Sequence, residues 1–212
     1  MLADLLSDTL EHTLEHLETG GWVMIPLVIV AMVMFFLIAK KSLEMRAFTK
    51  GDMPAEELVK TVGRPGFTAA RWQVEIVEGF MGKRTFDEDL DRSILESLRV
   101  RQEGFVKRSI GLISVLAGVA PLLGLLGTVG GMITTFIVIS QFGTGNAKAL
   151  ASGISEALIT TQTGLVVAIP GLFLANYLHR RSEKLRARMR QFCLVLLRYH
   201  KAIETGKGTE PE

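Results

Sequence analysis

Three polar side chains stand out by where they lie: Thr128 and Thr161 sit in stretches that otherwise carry no charge, and Glu156 borders one of them. A threonine hydroxyl both donates and accepts hydrogen bonds, so these side chains sit where something polar could pass. A proton relay across a membrane needs an ionisable group at depth. Glu156 is the only acid between residues 109 and 178, and it lies at one end. The chain alone therefore cannot carry protons through these stretches.

Both threonines belong to stripes of small residues. One stripe reads Ser114, Ala117, Pro121, Gly124, Thr128, Gly131 and Thr135, and the other Gly153, Ala157, Thr161, Gly164, Ala168, Gly171 and Ala175. Steps of three and four residues place each set along one side of a helix. In a membrane such stripes let helices approach closely, and Gly127 with Gly131 forms a GxxxG pair on the first. Thr128 lies twenty positions after Arg108, and Thr161 nineteen before Arg180. At about 1.5 Å per residue both fall roughly 29 Å from the basic residues at the inner ends, so on antiparallel helices they are expected at one level.

Hydropathy gives the elements that position them. The 212 residues are 48% hydrophobic, with a mean hydropathy of +0.32 and three long charge-poor runs, which describes a membrane protein. The net charge of +2 hides a segregation. Residues 1–20 hold five acids and no Lys or Arg, residues 40–108 hold fourteen basic against twelve acidic residues, and the tail from His179 holds nine against four. Only Lys148 is basic between the second and third runs. Lys and Arg mark the inner face, so the N-terminus is expected outside and the C-terminus inside.

The expected fold is an all-α membrane protein. An acidic amphipathic helix at 1–20, with Leu6, Leu10, Leu14 and Leu17 on one side, precedes a first span at 21–39, kept in the mature protein because no basic n-region of a signal peptide precedes it. Trp22 and the pair Lys40 and Lys41 anchor that bulky, lipid-facing span. A cytoplasmic helical domain follows at 40–108, its apolar positions Trp72, Ile76, Phe80, then Leu90, Ile94, Leu98 and Phe105 marking two or three helices broken near Gly82–Thr85. The second span, 109–142, is too long for one crossing at about 51 Å against about 30 Å of hydrocarbon, so part of it projects into the cytoplasm. An outer loop at 143–152 leads to the third span at 153–178. A basic helix and tail occupy 179–212, with Leu185, Met189, Phe192 and Leu196 at helical spacing. Residues 206–212 read as a frayed end, and Cys193 has no cysteine to pair with.

The segments from Ala120 to Met132 (APLLGLLGTVGGM) and from Gly153 to Pro170 (GISEALITTQTGLVVAIP) resemble the MotA/TolQ/ExbB proton channel family, nearest its ExbB and TolQ branch. The resemblance implies a ring-forming homo-oligomer, a pentamer, in the bacterial inner membrane. The ring would enclose an ExbD- or TolR-like single-span partner that supplies an intramembrane Asp. It implies that Thr128 and Thr161 face that Asp, that Glu156 concentrates protons at the entrance, and that proton motive force energises a TonB- or TolA-like protein for outer-membrane transport or envelope work. The helix-packing and pore stripe would comprise Pro121, Gly124, Gly127, Gly131, Thr135, Ala157, Gly164, Ala168 and Pro170. A flagellar-type stator and a passive membrane scaffold are the alternatives; an external N-terminus, three spans and a modest insert count against the stator.

Each residue also has a plainer reading. The stripes can be helix packing alone, Thr128 can bond its own helix backbone, Glu156 can be a helix-start acid, and Pro121 and Pro170 can be kinks. The basic run after Arg180 anchors the inner end and can touch anionic lipid. Enzyme templates fail. His12-Thr13-Leu14-Glu15-His16 fits an H-x-x-E-H zinc pattern, but no scaffold for a third ligand is evident. Gly206-Lys207 lacks the rest of a phosphate loop, and no intramembrane histidine stands ready to activate Ser155. No enzymatic activity, cofactor, metal or nucleic acid is expected.

Overall fold

The computed structural model describes residues 20–54, 57–58, 69–85 and 87–204. The expected helix at 1–20, the zinc-like motif within it and the tail beyond 204 lie outside the described residues, apart from Gly20. Among the described residues five α-helices follow one another: α1 Met24–Phe48, α2 Arg71–Met81, α3 Glu88–Lys107, α4 Ile110–Phe142 and α5 Ala147–Glu204, with a 3-10 turn Gly143–Gly145 before α5. There is no strand among the described residues. Among the described residues three helical stretches are long and apolar enough to cross a membrane: α1, one within Glu88–Gly145 and one within Ala147–Tyr199.

One boundary differs from the sequence reading. The expected 143–152 connection shrinks to the 3-10 turn and Asn146, whose side-chain oxygen accepts from the Ala149 amide at 3.2 Å and starts α5. The long second run is separated from α3 at Ser109, which takes a positive φ of 75° although it is not glycine. No Gly or Pro marks that break.

The chain divides into two compact units, one from Met1–Ala39 and Gly111–Asn176, the other from Lys40–Ile110 and Tyr177–Glu212. In the first unit α4 and the opening part of α5 run antiparallel through a seam of small side chains. Leu27, Met34 and Ile38 of α1 are buried. Met34 reaches so near Gly171 that a β-carbon on the glycine would meet its sulfur and methyl group. The outward surface is apolar, including Ile25, Ile29, Phe36, Leu122, Phe136, Val166 and Phe173. In water that surface would be an aggregation hazard, whereas in lipid it is the matching solvent. Pro121 and Pro170 lie inside continuous helices.

In the second unit, Trp72, Ile76 and Phe80 of α2 are buried, as are Leu185, Met189, Phe192 and Leu196 of α5. Trp72 meets Phe192 edge-on, with ring centroids 5.2 Å apart and planes at 74°. Asp87 caps α3 by accepting from the Asp89 and Leu90 amides. Buried Gln73 ties the α2 start to the preceding turn: its Oε1 accepts from the Met53 and Ala70 amides, and its Nε2 donates to the Met53 carbonyl.

α3 corrects the expected apolar face. Its buried residues are Asp91, Leu95, Arg99, Gln102, Glu103 and Val106, while Leu90 and Phe105 are about half exposed. The buried charges are tolerable because they are paired. Arg99 bonds to Glu96 and Glu103, Arg186 of α5 donates to Glu103 at 2.8 Å, and Arg186 also holds Glu183.

Candidate functional site

The seam between α4 and α5 is built on close backbone approach. A β-carbon on Gly164 would lie 2.8 Å from the Ala120 carbonyl oxygen and 3.1 Å from the Gly124 α-carbon. On Gly131 it would lie 2.6 Å from the Gly153 carbonyl oxygen and 2.9 Å from the Ala157 amide. These neighbours are main chain, so nothing can rotate away. Gly127 lies over the Thr160 side chain and Gly153 against the Thr135 hydroxyl. The buried row of α4 is Ile113, Ala117, Ala120, Gly124, Gly127, Gly131 and Thr135, and that of α5 is Gly153, Ala157, Thr160, Gly164, Ala168, Gly171 and Ala175.

Ala117, Gly124, Gly131 and Thr135 of the first stripe are in this seam, as are all members of the second stripe except Thr161. Pro121, Thr128, Thr161 and Pro170 are half-buried, and Ser114 is exposed. The two threonines thus stand at the edge of the packed seam, not in its middle. Thr161 comes close to α4 one turn before Thr128: its α-carbon is 3.2 Å from where a Gly124 β-carbon would sit, and its hydroxyl is 3.4 Å from the Gly124 carbonyl oxygen.

Both hydroxyls already donate to backbone. Thr161 gives its proton to the Ala157 carbonyl at 3.1 Å and Thr128 to the Leu125 carbonyl at 2.7 Å. A hydroxyl committed in this way still has lone pairs to offer, so at rest each is an acceptor. It would bond a protonated carboxyl directly, and would turn toward a carboxylate only by giving up a backbone bond of about 1 kcal/mol.

Glu156 is half-buried, and its carboxylate lies against Gly21, where a β-carbon would collide with Oε1. Gly21 has a φ of +66°, a backbone conformation that favours glycine. Thr160, one turn along α5, is fully buried and donates to the Glu156 and Ala157 carbonyls, both at 3.0 Å. Sequence reading missed Thr160. Its only signal was a hydroxyl adjacent to Thr161, since rows through 160 and through 161 both advance by three and four.

In the other unit Arg99 is the hub of the ion-pair group. The hydrogen bond from Arg99 holds the Glu96 carboxyl below the ordinary carboxylate range. Bonds to Glu103 and Glu183 raise the Arg186 guanidinium. Burial pushes the Cys193 thiol up to about 12. Among the described residues no group of three or more His, Cys, Asp or Glu could hold a metal ion.

Helices of membrane-crossing length joined through glycine-lined backbone contact, with hydroxyls at the seam's edge, define a multi-span membrane protein of the kind whose spans are packed by small residues. A model of the MotA/TolQ/ExbB proton channel family matches residues 67–191, and the chain belongs to that family. It is similar to the biopolymer transport protein ExbB of Xanthomonas campestris pv. campestris (strain B100), 30% identical over 158 residues, covering 73% of this chain and 61% of that one. It is also similar to the ExbB of Aquifex aeolicus, 40% identical over 88 residues, covering 41% and 60%. With the ExbB of Salmonella typhimurium it shares 37% identity over 83 residues, covering 39% and 34%. The chain thus matches less than two thirds of the length of each of these relatives.

Proposed function

We propose that this chain is the ring-forming subunit of a proton-driven motor in the bacterial inner membrane, working with an ExbD- or TolR-like single-span partner that brings an intramembrane Asp. The observation that carries the reading is a pair of half-buried hydroxyls, Thr128 and Thr161, at the edge of a backbone-tight seam whose spans hold no acid at depth. A protonated Asp would donate to these hydroxyls without disturbing their backbone bonds. An ionised Asp would make them turn, so the site favours the neutral form and lets go of the charged one. Glu156, held against Gly21, would gather protons at the outer mouth.

The driving force is adequate. One charge crossing 100 mV releases about 2.3 kcal/mol, comparable to exchanging a few hydrogen bonds. That suits stepwise movement of the partner helix from one hydroxyl pair to the next around a homopentamer, with the work delivered to a TonB- or TolA-like protein. A flagellar-type stator and a passive scaffold are the competing readings. Liposomes given an inward pH gradient discriminate a passive scaffold from a proton-driven motor. This chain alone is expected to pass no protons, and this chain with an Asp-bearing single-span partner to take them up. Absence of uptake by an assembled complex would favour the scaffold.

A further inference from the structure

The second unit contains a cleft of about 390 Å³ that the motor reading does not use. Its apolar wall includes Met45, Phe48, Phe105 and Val106, and its polar groups are Lys41, Glu44, Arg71, Glu75 and Gln102. Lys41 lies two positions past the apolar run of the first span, at the level where the hydrocarbon ends and lipid headgroups begin. The residue is only 5% exposed. Its ammonium donates to the Phe105 carbonyl at 2.9 Å and to Glu44 at 3.3 Å, which leaves one of its three protons to offer.

Gln102 supplies the second observation. It is 4% exposed, its Nε2 donates to Glu75 at 2.6 Å, and its Oε1 is buried with no partner. The bond to Glu75 fixes which end of the amide is oxygen, so the orphan is an acceptor that calls for an N–H or O–H donor. Leaving such a group unmade costs about 1–3 kcal/mol, which a ligand can recover. Around it the charges are paired, Lys41 with Glu44 at 3.3 Å and Arg71 with Glu75 at 2.9 Å, so a ligand bearing both a cation and an anion can exchange with both pairs without leaving a net charge.

We infer that this cleft binds a phospholipid with a primary ammonium in its headgroup, of the phosphatidylethanolamine type. The ammonium donates to Gln102 Oε1 between Glu44 and Glu75, the phosphate accepts from Lys41 and Arg71, and the chains leave past Lys41 and Phe105 toward the first span. The volume is within the range of small-ligand sites, roughly 300–1,000 Å³. A trimethylated headgroup has no N–H to give the orphan oxygen, and a glycerol headgroup has no cation for the two carboxylates. The inference rests on the membrane location of the chain and not on proton transport.

Delipidated full-length protein is titrated with phosphatidylethanolamine, phosphatidylcholine or phosphatidylglycerol and read by native mass spectrometry. Phosphatidylethanolamine is expected to bind about tenfold more tightly than either of the others, and Gln102→Leu to abolish that preference. Protection of the Cys193 thiol reports that the variant is folded. Free phosphoethanolamine is expected to compete at least a hundredfold more weakly, because it lacks the chains. Equal binding of the ethanolamine and choline lipids by the wild-type protein, tighter binding of phosphatidylglycerol, or an undiminished preference in folded Gln102→Leu would overturn the assignment. Equal competition by phosphoethanolamine would overturn the choice of a lipid as the occupant.

Discussion

One methyl group added at Gly164 measures how much the seam depends on backbone contact. Its β-carbon would sit 2.8 Å from the Ala120 carbonyl oxygen and 3.1 and 3.3 Å from the Gly124 α-carbon and nitrogen. All three are main-chain atoms of α4, so relief requires the helices to part by a few tenths of an ångström along the seam. Overpacking of this kind costs about 1–3 kcal/mol. Gly118, on the same α4, has nothing within 4 Å of its β-carbon position. Alanine there gains helix propensity of up to about 1 kcal/mol at no steric cost. Thermal unfolding followed by circular dichroism should therefore split the pair. Gly164→Ala is expected to melt several degrees lower, taking about 2–4 °C per kcal/mol for a chain of this size, and Gly118→Ala to melt at or above the wild type. Equal melting of the two would refute the packing argument and free the stripe for another role.

Other outcomes follow from the second unit and the junction. Glu103→Ala strips a nearly buried carboxylate from between Arg99 and Arg186 and should cost about 3 kcal/mol in thermal or denaturant unfolding, the usual penalty for breaking a buried pair from one side. Cys193 should resist maleimide until the protein unfolds. Because its folded value is raised from 9.0 to about 12, the stability it contributes is complete below pH 9 and is lost as pH rises toward 12, so Cys193→Ala should flatten the alkaline end of a stability profile. At Ser109, whose φ is 75°, glycine should raise stability by about 1 kcal/mol and valine should lower it, read from the same melts.

The spans, the helical character of the insert and its break near residue 82 were readable because hydrophobic period and length are local properties. The left-handed conformation at Ser109 was not, since a serine in that region carries no composition signal. The burial of Arg99 and Glu103 was hidden for a different reason. Their burial depends on Arg186, which lies 83 positions from Glu103, and no window along the chain brings the two together. At the seam the stripes were visible as small residues, yet Ala120, Gly127 and Thr160 take buried places while Pro121, Thr128 and Thr161 stay at the edge. At 3.6 residues per turn, adjacent rows both step by three and four, and only the partner helix decides which faces inward. That one-residue choice leaves the two hydroxyls accessible from the side.

Proton uptake by liposomes holding this chain together with an Asp-bearing single-span partner, compared between wild type, Thr161→Val and Thr161→Ser, puts the role of that hydroxyl to the test. Valine matches threonine in shape, and losing a bond within its own helix costs little fold stability. Losing a hydrogen bond to a group that changes charge is worth about 1.5–3 kcal/mol, or roughly 10–150-fold in rate. The expectation is an assembled Thr161→Val complex with uptake down at least tenfold and a Thr161→Ser complex near wild type. Wild-type uptake by the valine variant would contradict a hydroxyl-assisted proton site.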